Sequence, residues 1–390
     1  MRISGPTAYI LLYASMYAAF GVSSPFWPKF FETKTLTPQQ ISLILAAAML
    51  VRLASGPPIG RFADLSGSLR IVLAACASLA AGMAAAFLLA STFWSLLAIA
   101  LVQATALAPM TSLADALAVN TARPYIAGKP FEYGWIRGSA SAAFLMGTLV
   151  VGQLISRDDL TPMIWMNAAL LAATVAATSL LPSVDPQSRS EIRRTAFAGA
   201  HGLIGMPKFR VLLAASALVF GSHAMHDAFS VIRWSDAGIN TSLISILWSE
   251  AVAAEVIVFF RLGPALIKTL GARGAAALAA TAGIVRWSIA GVTTSFFALA
   301  MLQPLHGLTF ALLHLACMRT LAELVPTNLS ATAQALYVFS SGVVTTALTL
   351  LSGSLYTRYG GASFFVMAVL CGVALPVAWF GLAGNSDRFP

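Results

Sequence analysis

Ionisable side chains fall inside apolar stretches of this sequence where nothing soluble requires them: Arg52, Arg137 and Arg286, and against them Asp115, Asp227, Glu250 and Glu255. A charge at the centre of a bilayer costs about 2.5–3.5 kcal/mol on insertion scales, so such residues are kept for a function. Three bases cannot neutralise four acids, and a carboxylate left over in an apolar setting holds a proton. That is what a proton-coupled carrier needs. His223 and Asp227 stand four residues apart, which puts them on one helix face, with His226 beside them; His306 and His314 follow further on. Histidine titrates near physiological pH, so the set reads as a proton relay, with His306 foremost and Glu255 next. The plainer reading is a group of hydrogen-bonded packing histidines. His223, His226 and Asp227 would also suit a metal such as zinc, but spacing fixes no further ligand and no metal is expected.

The elements that must hold these residues follow from composition. Of 390 residues 58% are hydrophobic and only 9% charged, with a mean hydropathy of +0.83. A soluble domain carries roughly a quarter charged residues, so this surface faces lipid. The apolar runs are continuous and about 20 residues long, as transmembrane helices require, and lack the strict alternation of a membrane β-barrel. Spans are expected near 7–29, 38–62, 71–91, 93–119, 132–155 and 162–181, and then near 209–232, 241–263, 274–294, 296–321, 329–355 and 362–383. The fold class is therefore an all-α membrane protein of twelve helices in two bundles of six. The expected domains are 1–181, a central cytoplasmic loop over 182–208 that carries Asp185, Arg189, Glu191, Arg193 and Arg194, and 209–390.

Of the 23 Lys and Arg, only Lys29, Lys34, Arg157, Arg233 and Arg358 fall in outer loops if the amino terminus is cytoplasmic. Fifteen, among them Arg2, Arg123, Lys129 and Arg388, fall on the inner side. The positive-inside rule then puts both termini in the cytoplasm. This bias also explains the net charge of +9 without nucleic acid. Cys76, Cys317 and Cys371 all lie in apolar segments, which argues against a disulfide framework. The first apolar run reads as a retained span. Phe20-Gly21 recurs as Phe220-Gly221, a faint echo between the halves.

Between the second and third spans stands Gly60-Arg-Phe-Ala-Asp64-Leu-Ser-Gly67-Ser-Leu-Arg70. It resembles the loop signature of the major facilitator superfamily, in which Asp64 at a helix end would pair with an Arg across the gap and Gly67 would permit a turn. The corresponding loop of the second half, Gly263 to Arg273, is degenerate and has Lys268 where the acid would be. A narrower resemblance runs along nearly the whole chain, to the phenylpropionate permease family, a branch related to the lactose/proton symporters. It rests on Ser24-Pro-Phe-Trp27, Leu113-Ala-Asp-Ala-Leu117, Glu132-Tyr-Gly-Trp-Ile-Arg-Gly-Ser139, Gly221-Ser-His223-Ala, Ala254-Glu255-Val-Ile257, Val285-Arg286-Trp287, and Leu305-His306-Gly307 with His314. An Arg followed twenty residues later by a His also matches lactose permease. The Glu that follows there by three residues is Thr309 here, so that acid is missing.

This resemblance implies a proton-coupled importer of a small organic solute, with an aromatic carboxylate favoured. Related branches carry nucleosides and sugars, and a drug exporter is the other alternative within transport. It implies that Asp115 and Arg137 form the substrate site, Arg137 receiving an anionic or hydroxyl-bearing group through its planar fork. Phe144, two turns along, could stack on an aromatic ring. The plain alternative is a permanent salt bridge between two helices. Glu255, Arg286, His306, His223 and His314 would couple the proton, and Gly60, Asp64, Gly67 and Arg70 would form the gating loop. Rocking of the two halves would alternate access to a central site. The expected setting is a bacterial inner membrane, with the chain a monomer, no cofactor and no enzymatic activity. A membrane enzyme on a histidine–metal centre is the alternative from another class. No filter loop suggests a channel, and no Walker motif suggests ATP use.

Overall fold

The computed structural model describes residues 5–121, 133–181 and 196–383, and all regular structure among them is helical. The expected inner-side cations Arg2, Arg123, Lys129, Arg189, Arg193, Arg194 and Arg388, together with Glu132, Asp185 and Glu191, lie outside these residues. The chain divides into two compact units, Met1–Arg189 with Gly238–Ile246, and Ser190–Ala237 with Leu247–Pro390.

In the first half the helices are α1 (Gly5–Ser23), α2 (Trp27–Thr33), α3 (Pro38–Ser66), α4 (Leu69–Ala86), α5 (Phe93–Leu107), α6 (Met110–Thr121), α7 (Tyr133–Leu154) and α8 (Thr161–Ser179). In the second they are α9 (Ala196–Gly205), α10 (Pro207–Gly221), α11 (Ala224–Asp236), α12 (Thr241–Ile257), α13 (Gly263–Val292), α14 (Phe296–Leu302), α15 (Leu313–Leu324), α16 (Ser330–Tyr359) and α17 (Phe364–Gly381). Two π-helical stretches, Val258–Leu262 and Gly307–Leu312, join α12 to α13 and lead into α15. Local signals set the ends. Thr37 and Gln40 form a capping box ahead of α3, with Pro38 in its first turn, and Gly67 closes the helix with a left-handed φ of 69°.

Eight helical runs are long and apolar enough to cross a membrane, and two of these, Thr241–Val292 and Ser330–Gly381, are 52 residues long. At 1.5 Å per residue such a run spans roughly 80 Å, more than twice a bilayer core. Each is broken in its middle, at Gly271 (φ 67°, ψ 175°) and at Gly360 (φ 54°), so each provides two crossings. With α1 and α7 the described residues give the twelve crossings of the sequence reading.

The expected bounds need correction at several points. The first span ends at Ser23, because Ser24-Pro25 breaks it and a separate helix starts at Trp27. The span at 93–119 is interrupted at Ala108-Pro109, and that at 209–232 at Ser222-His223. The eighth span runs past 263 to the Gly271 break, and the tenth is interrupted between Gln303 and His306. The central loop contains helix α9.

Within the first unit α1 packs along α7 and α8, and α4 along α8; within the second, α13 packs on α17 and α15, and α10 on α16 and α17. The Phe-Gly echo has a structural counterpart. A Cβ on Gly21 would stand 2.1 Å from the backbone oxygen of Phe144 on α7, and one on Gly221 would stand 2.6 Å from Leu348 on α16. Both glycines therefore mark close helix approaches.

Candidate functional site

In the first unit, α6 and α7 bring Asp115 and Arg137 together, with 3.7 Å between Nη1 and Oδ1. Both side chains are substantially exposed, at 39% and 44%. Each leans on a tyrosine of α1: Tyr13 donates its hydroxyl hydrogen to Asp115, and Arg137 donates to Tyr17 Oη at 2.9 Å. The Arg137 guanidinium also lies over the Tyr17 ring, 5.7 Å from its centroid, and Tyr17 stacks on Tyr13 and meets Phe20 edge-on. A structural lock between helices would be short and buried. This pair is long and open, and exposed pairs contribute little to stability. Its geometry fits groups held ready for a ligand.

The ring beneath the guanidinium is Tyr17 rather than Phe144. Phe144 is half-buried, and its backbone is pressed against Gly21. Sequence reasoning missed Tyr13 and Tyr17. The signal was available, since Tyr9, Tyr13 and Tyr17 recur every four residues and so share a helix face. Tyr9 is spent on the Leu117 carbonyl at 3.0 Å.

In the second unit Arg286 is buried on α13 and its guanidinium is distributed over neutral partners. Nη1 donates to His306 Nδ1 at 3.0 Å and lies 3.5 Å from Thr309 Oγ1, while Nη2 donates to Gln303 Oε1 at 3.3 Å. The cation also sits 4.5 Å from the Trp287 ring centroid. Guanidinium has no acceptor, so His306 Nδ1 must accept, and the ring hydrogen of His306 is on Nε2. That nitrogen faces Glu255 Oε2 at 3.5 Å. His223 is fixed the opposite way. Its Nδ1 faces the carbonyls of Val219 and Phe220 at 3.1 and 3.2 Å, so Nδ1 carries the hydrogen and Nε2 accepts from the Thr309 hydroxyl at 3.0 Å.

Arg286 makes no ion pair with a carboxylate among the described residues, and a carboxylate of another helix, Glu255, stands beside His306 where position 309 has Thr. Glu255 on α12 reaches His306 because Gly307 permits a close crossing: a Cβ there would stand 2.7 Å from the Ala254 carbonyl oxygen. Both helices are π-helical beside this crossing, a feature concentrated at functional sites.

His314 stands apart from the His306 network. Its Nδ1 is 3.1 Å from Tyr337 Oη, and its ring meets Phe259 and Tyr337. Arg52 is exposed on α3, and Glu250 is half-buried on α12; no ion pair joins either to another described residue. Among the described residues no group of three or more His, Cys, Asp or Glu could hold a metal ion.

In the loop motif Gly67 adopts the left-handed turn that the pattern requires. Arg70 donates to the last carbonyls of the sixth span, Leu181 at 3.0 Å and Ser179 at 2.6 Å. Asp64 does not make the expected ion pair with any described residue; it is exposed at the end of α3, and the Arg of its own motif is turned to α8 instead. Gly60 has open space where a Cβ would be.

The family model MFS_1 like family matches residues 7–367. The chain belongs to this family. It is similar to a probable 3-phenylpropionic acid transporter of Escherichia coli (strain K12), 30% identical over 368 residues that cover 93% of this chain and 94% of the relative. It is also similar to the uncharacterized transporter YwbF of Bacillus subtilis (strain 168), 22% identical over 349 residues, 89% of this chain and 84% of the relative. Among solved structures, the nucleoside transporter NupG superposes with a TM-score of 0.83 at 16% identity, over 97% of this chain and 98% of that one. A bacterial homolog of the human lysosomal transporter Spinster gives 0.74 at 14%, over 97% and 96%. These two likenesses show the fold. This member of the MFS_1-like family is a multi-pass membrane transporter of small molecules and not an enzyme.

Proposed function

We propose that the protein imports a small aromatic carboxylate, 3-phenylpropionate or a close analogue, together with a proton. The membrane is the bacterial inner membrane, both termini lie in the cytoplasm, and the monomer is the working unit. The proton gradient supplies the energy, and no cofactor takes part. Arg137 receives the substrate carboxylate in a fork of two N–H groups, Asp115 and Tyr17 orient it, and the tyrosine rings of α1 supply the aromatic wall.

The contact that carries the coupling half of this reading is Arg286 to His306. A protonated His306 would have a hydrogen on Nδ1 and could not accept from a guanidinium. While that bond stands, His306 is a fixed neutral donor toward Glu255, and the exchangeable proton of the contact belongs to the carboxyl. The printed name of the Escherichia coli relative supports the substrate class. A nucleoside or sugar importer, or a drug exporter, has the shared fold alone in its favour.

The test is uptake of labelled 3-phenylpropionate into inverted-gradient vesicles, acid outside. Accumulation should follow the pH gradient and collapse with a protonophore. Uptake that ignores the gradient, or an Arg137→Ala protein that accumulates substrate like the unmodified one, defeats this version.

A further inference from the structure

His226 and Asp227 take no part in the contacts described so far, yet they are the most anomalous pair in the second unit. From Gly221 to Ser235 every residue but two is buried; Arg233 is half-buried and Asp227 alone is exposed. Its side chain is 58% accessible. An acid facing lipid would be costly, and its neighbours on the same helix face, His223, Ala224, Ser230 and Val231, are all buried and leave no lipid-facing strip for it to share. Asp227 therefore faces water.

Behind it, His226 is 5% exposed. Its Nδ1 lies 3.2 Å from Asp227 Oδ1, and since a carboxylate only accepts, Nδ1 carries the hydrogen. The imidazole is clamped among tryptophans. It stacks on Trp248 at 5.0 Å, meets Trp234 edge-on at 5.7 Å, and lies tilted against Trp287 at 5.7 Å. The Trp287 N–H is already used on Ser222 Oγ at 2.8 Å. His226 Nε2 is buried with no hydrogen-bond partner. So are the hydroxyls of Ser230, one turn along the same face, and Ser249, next to Trp248. Other buried hydroxyls fold back onto carbonyls of the preceding turn, as in Ser222, Thr320 and Ser352, with Ser341 a further exception. Buried polar atoms left unsatisfied are uncommon, and each calls for an explanation. What His226 gains in return is its hold on Asp227.

We infer that Asp227 is a substrate-contacting residue that selects a hydroxyl group, and that His226 is its positioning residue. With Oδ1 engaged by His226, Oδ2 is free to accept from a donor arriving in the open space, and the partly exposed Trp248 offers a flat apolar wall for the ring that bears it. The carboxylate repels a second carboxylate and accepts from a phenolic hydroxyl, so the class of ligand is a hydroxylated aromatic. This rests on the aromatic-acid reading above but can fail separately.

The experiment measures binding to the purified full-length protein by tryptophan fluorescence and calorimetry, with two matched ligand pairs. These are 3-phenylpropionate against 3-(4-hydroxyphenyl)propionate, and the corresponding neutral amides. The hydroxylated member of each pair should bind about tenfold tighter, a difference of roughly 1.4 kcal/mol. Asp227→Ala should abolish that difference, and Asp227→Asn, which keeps an acceptor oxygen, should retain part of it. His226→Phe, which keeps a ring on Trp248 but loses the donor, should reduce it. Equal affinities within both pairs, or a preference that survives Asp227→Ala, overturns the subsite. Amides that bind as well as acids would count against the carboxylate reading while leaving the hydroxyl preference to decide this one.

Discussion

His306 Nε2 and Glu255 Oε2 stand 3.5 Å apart on helices that touch at Gly307 and Ala254. The contact combines an imidazole whose tautomer is dictated from behind by Arg286 with a carboxyl that is largely withdrawn from solvent, at 24% exposure. A proton-coupled step needs a site that is stable in two protonation states, and under the coupling proposed above this contact is that site.

Replacing Glu255 with Gln removes the titration while keeping the shape. Gradient-driven accumulation should fall at least about tenfold, equivalent to ~1.4 kcal/mol, whereas exchange of labelled for unlabelled substrate at equal pH should continue. His306→Ala should impair both processes, because the donor toward Glu255 and the acceptor for Arg286 are lost together. Parallel measurement of accumulation and exchange separates the two. An E255Q protein that still accumulates substrate to the unmodified level would remove Glu255 from the coupling step.

Gly307→Ala tests whether the helix crossing is what makes the contact. The added methyl would stand 2.7 Å from the Ala254 carbonyl oxygen and 2.8 Å from Val258 Cγ2, and overpacking of this kind costs about 1–3 kcal/mol. Thermal unfolding should shift down, and accumulation should fall more steeply than exchange as His306 moves off Glu255. Unchanged stability together with unchanged coupling would show that the crossing has slack.

The sequence made parts of this legible and hid others for physical reasons. Continuous apolar runs and the bias of Lys and Arg are averages over many residues, so twelve crossings could be read without knowing any contact. Arg286 and His306 could be paired because their spacing matches a known pattern. The Glu255–His306 contact depends on a close crossing at Gly307 and Ala254, which joins residues about fifty apart in sequence and leaves no mark in a 3.6-residue period. Tyr13 and Tyr17 do not stand out in the sequence, because an aromatic stripe at four-residue spacing is usually packing. Charge counting treated Arg52 and Glu250 as partners for the rest, although Arg52 is exposed and neither is ion-paired with a described residue. Asp227 could be noticed from sequence, but its exposure on an otherwise buried helix could not.

Arg137 should tolerate neither loss of charge nor loss of shape. Arg137→Lys keeps the cation but gives up the fork and the contact with the Tyr17 ring, and affinity for an aromatic acid should drop about tenfold. Arg137→Ala should drop it by about a hundredfold, since a charged hydrogen-bond pair is worth ~1.5–3 kcal/mol. Thermal stability of both should stay within about 1 kcal/mol of the unmodified protein, because the pair with Asp115 is long and exposed. Calorimetric titration gives the affinities. Strong destabilisation without a change in affinity would restore the structural salt bridge as the explanation.

Arg70 closes the end of α8 from the far side of the Gly67 turn, with N–H groups on the carbonyls of Ser179 and Leu181. The last carbonyls of a helix have no partner of their own, and a cation there is favoured by the helix dipole. Arg70→Ala should therefore destabilise the first unit by about 1 kcal/mol, and Gly67→Ala by about 1–2 kcal/mol, because a Cβ is strained at φ 69°. Both residues are remote in sequence from Asp115 and Arg137, and Asp64 between them in the motif is not ion-paired with a described residue. The loop should thus affect how fast the transporter cycles and not how tightly it binds: the maximal rate of uptake should fall while the half-saturating concentration holds. Measuring both in Arg70→Ala and Arg70→Lys decides it, since Lys restores the charge at the helix end and should recover part of the rate. A variant that loses affinity at full speed would place Arg70 in contact with the substrate path instead.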